Sequence, residues 1–179
     1  IIEVGRNQGF SNLVTTDTVT VTPVQLNTMS GYVTLQTATA YYWRVRGMDR
    51  QNALTAWAGG SAQSFTFSST PPPAPQPLAP VDDATRFPPE TIAWGAVTDS
   101  DAGAQDSLTY FLQIAATPAF GEIIAADTLS DTAQVIENMP GYLLLIDNSR
   151  YYWRVAVRDN HGATGAWSDT SSFILDKSN

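Results

Sequence analysis

The stretch Asp99-Ser100-Asp101-Ala102-Gly103-Ala104-Gln105-Asp106 is the part of this chain best suited to chemistry. Carboxylates at alternating positions beside a turn glycine can gather oxygens around a hard cation. Asp99, Asp101 and Asp106 are therefore candidate metal ligands, with calcium the ion they would take. The loop lacks the closing glutamate and the third early ligand of a full EF-hand. Its simpler reading is a solvated turn whose aspartates bond their own backbone. The one histidine, His161, stands in an expected turn, and the first half of the chain has Gln51 at the matching place. No Gly-x-Ser-x-Gly elbow or glycine-rich phosphate loop accompanies it. Carboxylates are numerous, but a glycosidase pair needs a cleft and a raised pKa, and nothing in the sequence indicates either. No catalytic residue, no enzyme activity and no cofactor beyond that calcium are expected.

Bulk properties narrow the classes further. The chain has 179 residues, 43% of them hydrophobic and 15% charged, enough apolar side chain for packed cores. The formal net charge is −8 and the pI about 4.3. With Lys177 the only lysine and the arginines dispersed, a nucleic-acid partner is not expected. No apolar run reaches the roughly 20 residues of a membrane helix, so no membrane span is expected in this chain. Ile1-Ile2-Glu3-Val4 reads as a strand rather than a signal peptide, which suggests a mature or excised piece. The absence of cysteine rules out disulfides, a thiolate nucleophile and Cys-ligated zinc.

These residues must be positioned by an internally repeated unit. Tyr41-Tyr42-Trp43-Arg44-Val45 returns as Tyr151-Tyr152-Trp153-Arg154-Val155, an offset of 110. The same offset pairs Phe10 with Phe120, Asp17 with Asp127, Met29 with Met139 and Gly31-Tyr32 with Gly141-Tyr142. It also pairs Leu35 with Leu145, Asp49 with Asp159 and Trp57 with Trp167. About 18 identities fall in roughly 61 ungapped positions, far above chance. Past the second Trp the copies slip by two, so Phe65 pairs with Phe173. Tyr151, Trp153, Val155 and Val157 alternate with polar or small residues, a period of two that marks strands with one buried face. Asp, Asn, Gly and Pro cluster between such runs, and no helical stripe occurs.

Short strands at this density suggest an immunoglobulin-like sandwich. The second copy resembles a fibronectin type III domain. Pro77-Leu78-Ala79-Pro80 resembles that family's first strand, Ile92-Ala93-Trp94 its second strand with the core Trp. Leu145 followed by Tyr151 resembles its Leu and corner Tyr, and Trp167-Ser168 with Phe173 its last loop and strand. The phrasing is most like tandem modules of bacterial surface or secreted proteins. The resemblance implies an all-β chain of tandem sandwiches: a partial domain over 1–68 (strands C to G), a Pro-rich linker over 69–76, a complete domain over 77–176 and a tail over 177–179. The first domain lacks strands A and B, because residue 1 aligns with Phe111. Without them a large apolar face lies open. Either this is a fragment of a longer protein, or another chain supplies the strands, although donor-strand assembly commonly supplies one and two are missing. Residues 69–76 favour polyproline II, a short stiff spacer.

Strand parity points Arg44, Arg46, Arg154 and Arg158 outward. Trp167-Ser168 also resembles the tryptophan-serine element of cytokine-receptor modules, in which a Trp lies against strand-F arginines. That resemblance implies Trp57 on Arg44 or Arg46 and Trp167 on Arg154 or Arg158, as structural stacking. A sugar-binding platform is the alternative use of these tryptophans. The expected function is a non-catalytic spacer or interaction segment of a larger extracellular or cell-surface protein, of the adhesion kind. Its partner would be a protein or glycan on the cell surface, with self-assembly through the incomplete first domain a further route. The alternatives are an accessory module of a secreted polysaccharide-degrading enzyme, or a filament subunit completed by a neighbour's strands.

Overall fold

A computed structural model describes residues 1–20, 22–81, 84–86 (backbone only), 90–100 and 107–177. The chain divides into two compact units, Ile1–Ser69 and Thr70–Asn179.

In the first unit four strands form one antiparallel sheet: β1 (Ile2–Gly5), β2 (Leu13–Asp17), β3 (Thr39–Val45) and β4 (Gln63–Phe67), in the order β2-β1-β3-β4. A bulge between Val4 and Gly5 shifts the β1–β2 register. Alternation places Val4, Val14 and Tyr41 on one face, where they are buried with Leu35. Leu26, Tyr32, Phe65 and Phe67 pack there only partly buried. Five strands, C to G, are expected in this unit; the one equivalent to strand E does not form among the described residues. In the second unit that strand pairs with strand B. Among the described residues of the first unit no such partner strand is present, so there is no ladder for its backbone groups to join.

The second unit has two sheets. β5 (Pro77–Ala79), β7 (Thr91–Trp94) and β10 (Ala133–Val135) form a three-stranded sheet in the order β10-β7-β5. β6 (Ala84–Arg86), β8 (Leu108–Ala115), β9 (Ile123–Leu129), β11 (Ser149–Asp159) and β12 (Ser171–Leu175) form the other, ordered β6-β12-β11-β8-β9. β6 runs parallel to β12 and the remaining pairs are antiparallel. Ile92 and Trp94 from the smaller sheet meet Leu112, Ile114, Trp153, Val155 and Phe173 from the larger one in a single core. The Trp153 indole N–H donates to the Pro80 carbonyl at 2.9 Å, which satisfies the one polar atom this ring carries inside.

Both units keep the same corner. The Tyr151 hydroxyl accepts from the Ile146 N–H at 2.6 Å and that of Tyr41 from the Gln36 N–H at 2.8 Å. Leu145 and Leu35 lie buried beside them, each 3% exposed.

The Pro-rich linker expected over 69–76 needs correction. Pro72 and Pro75 are buried, and the Gln76 carbonyl accepts from the Gly95 N–H at 2.8 Å. From Thr70 onward the run belongs to the second unit. It docks because residue 165 is glycine: a Cβ there would run into the Pro72 carbonyl oxygen. Gly165→Ala should therefore destabilise the second unit by about 2 kcal/mol and open residues 70–76 to protease. Gly121→Ala, where a Cβ would meet nothing within 4 Å, should change neither. Urea unfolding with limited proteolysis reads both, and an unchanged Gly165→Ala protein would refute the docking.

Candidate functional site

The expected metal loop divides at the limit of what is described. Asp101 and Asp106 lie outside the described residues. Asp99 is buried, 6% exposed, and already engaged. Among the described residues no cluster of three or more His, Cys, Asp or Glu could hold an ion.

Elsewhere the acids close turns. Asp159, 3% exposed, accepts the Ala163 N–H at 2.8 Å, and Asp49 accepts those of Gln51 (2.9 Å) and Ala53 (2.8 Å). This Asx geometry shapes the hairpin between the last two strands in both units. His161 lies in the Asp159–Ala163 turn, partly exposed and engaged. The turn therefore accounts for the repeated Asp in structural terms.

The arginines and tryptophans come together on the outer faces of the large sheets. Arg44 lies 4.0 Å from the Trp57 ring centroid and Arg46 4.3 Å. Arg154 lies 4.1 Å from that of Trp167. Arg158 does not reach Trp167; it sits over Phe111 at 4.9 Å. Two participants are not evident from the sequence pattern. Phe10 stacks on Arg44 at 4.0 Å and Phe120 on Arg154 at 4.1 Å. Both phenylalanines hold positive φ, 54° and 52°, a conformation that bulky side chains adopt only when their surroundings impose it. Their place among the repeat identities was the available signal.

The in-plane partner of each stacked arginine is the second. Arg44 donates from Nε and Nη2 to one Glu3 carboxylate oxygen at 2.8 and 2.6 Å, while Arg154 donates from the same atoms to the Gln113 amide oxygen at 3.0 and 2.9 Å. Each unit thus holds one guanidinium against two rings and fixes its plane with an acceptor from the neighbouring strand. At the other end of the second unit, Lys177 Nζ caps the Tyr142 ring at 4.2 Å. Burial, and secondarily the Glu137 carboxylate, raise the Tyr142 pKa above the ordinary phenol value.

Residues 92–175 match the family model described as Rha78A-like, N-terminal immunoglobulin domain. The second unit, with its two packed sheets, is an immunoglobulin-like β-sandwich, similar to that domain over the matched residues. Among solved structures, the FN1–FN3 domains of chicken CNTN1 are 14% identical with a TM-score of 0.41, covering 79% of this chain and 44% of that one. The fibronectin(III)-like modules of Clostridium thermocellum CbhA are 15% identical with a TM-score of 0.42, covering 98% and 77%. No curated protein matches the chain. No helix among the described residues is long and apolar enough to cross a membrane.

The stacks have a measurable energetic consequence. In a double-mutant cycle on the second unit's unfolding, Arg154→Met and Trp167→Leu should couple by about 0.5–2 kcal/mol. Additive effects would mean that the contact contributes nothing to stability.

Proposed function

We propose that this chain is a non-catalytic structural and interaction segment of a larger extracellular or cell-surface protein, and that its first unit works with a second sheet docked on its open face. The observation that carries this reading is a difference between matched residues of the two units. Trp153 is 0% exposed and Trp43, its repeat counterpart, is 37% exposed. Around Trp43 an apolar depression of about 340 Å³ is lined by Ile2, Val4, Leu26 and Phe65. Their counterparts Leu112, Ile114, Ile136 and Phe173 are at most 1% exposed, beneath a sheet that carries Ile92 and Trp94. An indole half in water, ringed by apolar side chains, is a surface that favours a partner. The matching partner is a pair of strands with the pattern of Pro77–Ala79 and Thr91–Trp94, offering a carbonyl to the Trp43 indole N–H.

A non-catalytic role is supported by how the reactive residue types are used: the carboxylates of Asp49 and Asp159 in turns, and the guanidinium groups of Arg44 and Arg154 in stacks. Membership of a larger protein is supported by the family description, which is that of an N-terminal domain. The alternative, an accessory module of a secreted polysaccharide-degrading enzyme, is favoured by one observation: Arg154 and Arg158 pair with no carboxylate among the described residues.

Grafting a copy of residues 70–110 ahead of Ile1, which aligns with Phe111, tests the open face. Trp43 emission should shift to the blue, its quenching by iodide should fall, and the first unit's melting midpoint should rise by about 5 °C or more. A Trp43 that stays equally quenchable in the grafted chain would overturn the reading.

A further inference from the structure

The outer face of the second unit's large sheet differs from that of the first in charge. The in-plane partner of Arg44 is a carboxylate, Glu3, bound as an ion pair at 2.6 Å. The in-plane partner of Arg154 is Gln113, which gives one oxygen to the guanidinium and carries no charge. Arg154 therefore keeps its net charge and three of its five N–H donors. Neither Arg154 nor Arg158 is paired with a carboxylate among the described residues.

Register places these groups in a row. On β11, Arg154, Ala156 and Arg158 stand opposite Gln113, Phe111 and Thr109 of β8. All three β11 residues face outward, and Arg154 and Arg158 are about 13 Å apart along the strand. Ala156 is 2% exposed although it is on the outer face, and Phe111 is its cross-strand partner. The row thus reads cation, aromatic ring, cation. A depression of about 260 Å³ lined by Phe111, Gln113, Ala126, Asp127 and Thr128 runs beside it. The Asp127 carboxylate in that lining is held by the Thr128 N–H at 2.8 Å and Gln134 Nε2 at 2.6 Å. In the first unit Ile1, Arg46 and Met48 replace Phe111, Ala156 and Arg158.

We propose that this face of the second unit binds a carboxylate-bearing polysaccharide. Carboxylates of the polymer accept from the free edges of Arg154 and Arg158, and the polymer passes along the row beside Phe111, whose ring carries the Arg158 guanidinium at 4.9 Å. The two arginines stand four residues apart on one strand, about 13 Å between Cα atoms, a spacing that a polymer with repeated carboxylates spans. The charge complementarity is local: two cations with no carboxylate partner among the described residues, in a chain of net charge −8. An acidic peptide fits less well. β8 and β11 are interior strands whose backbone groups already pair on both sides, so a peptide would find no ladder to extend. The proposal does not depend on what covers the first unit.

The test is calorimetric titration of the full chain, in low salt, with oligogalacturonate and with the same oligomer methyl-esterified. Esterification removes the charge and keeps the rings. The acid form should bind and the ester should not, and affinity should fall as salt is added. Gln113→Glu reproduces the first unit's ion pair, so it should weaken binding about tenfold or more with no drop in melting temperature. Arg158→Ser should weaken it to a similar degree, and Glu3→Gln should leave it unchanged. Equal binding of acid and ester, no binding of the acid form, or full affinity in Gln113→Glu would each overturn the proposal. Poly-glutamate of matched length binding as tightly as the oligouronate would overturn the polysaccharide assignment.

Discussion

The burial of Trp153 is the constraint on which the second unit depends. Its indole is the widest side chain on the inner face of β11, and its N–H must find an acceptor once water is excluded. Pro80 supplies that acceptor, and the same carbonyl also takes the Ser171 hydroxyl at 2.9 Å. One carbonyl next to β5 thus ties the smaller sheet to β11 and β12 of the larger one. Around this link Ile92 and Trp94 close over Leu112, Ile114 and Phe173. The first unit has the same tryptophan on the same strand, and no carbonyl among the described residues takes its N–H. A sheet with one apolar face must bury it against another layer, and the half-exposed Trp43 marks where that requirement is unmet.

The two units show how far one scaffold can diverge without changing its joints. The joints are the tyrosine corner, the aspartate-closed hairpin and the arginine held against two rings. Each uses polar atoms to fix backbone that apolar packing alone would leave loose. The changes fall at positions the joints do not need. Gly165 admits the proline run of the second unit, while its counterpart Thr55 fills that space with a side chain whose hydroxyl accepts the Gly47 N–H at 2.9 Å. Glu3 and Gln113 both orient an arginine, so the substitution alters charge and preserves geometry.

How much of this was legible in the sequence follows from which interactions are local. The sandwich was readable because a repeat of Tyr-Tyr-Trp-Arg-Val with period-two burial leaves little freedom in which face is inside. The arginine–tryptophan neighbourhood followed from strand parity together with the family's pattern. Parity gives the face and not the cross-strand neighbour. Register decides that neighbour, and composition does not announce which residues of β1 and β8 stand beside the arginines. Glu3 and Gln113 were therefore not legible, Phe10 and Phe120 showed only as repeat identities, and Arg158 took Phe111 rather than Trp167. The proline run misled for a related reason. Its composition describes a stiff rod in water, and whether the rod docks is decided by a glycine far along the chain.

The distribution of charge completes the physical picture. Carboxylates in this acidic chain are used by the backbone: Asp17 by the N–H groups of Thr18 and Ser30, Asp127 by that of Thr128, Asp49 and Asp159 by their hairpins. A carboxylate that holds backbone donors in a fixed turn is poorly placed to shuttle protons, because losing its charge would also loosen the turn. The stacked arginines are committed in the same way, their planes to aromatic rings and one edge to a neighbouring strand. What is left over is specific. In the first unit it is an apolar face, and in the second it is the free edge of Arg154 with Arg158 beyond Phe111. Among the described residues, these side chains hold the scaffold, and an apolar face in one unit and a guanidinium edge in the other are what they leave exposed.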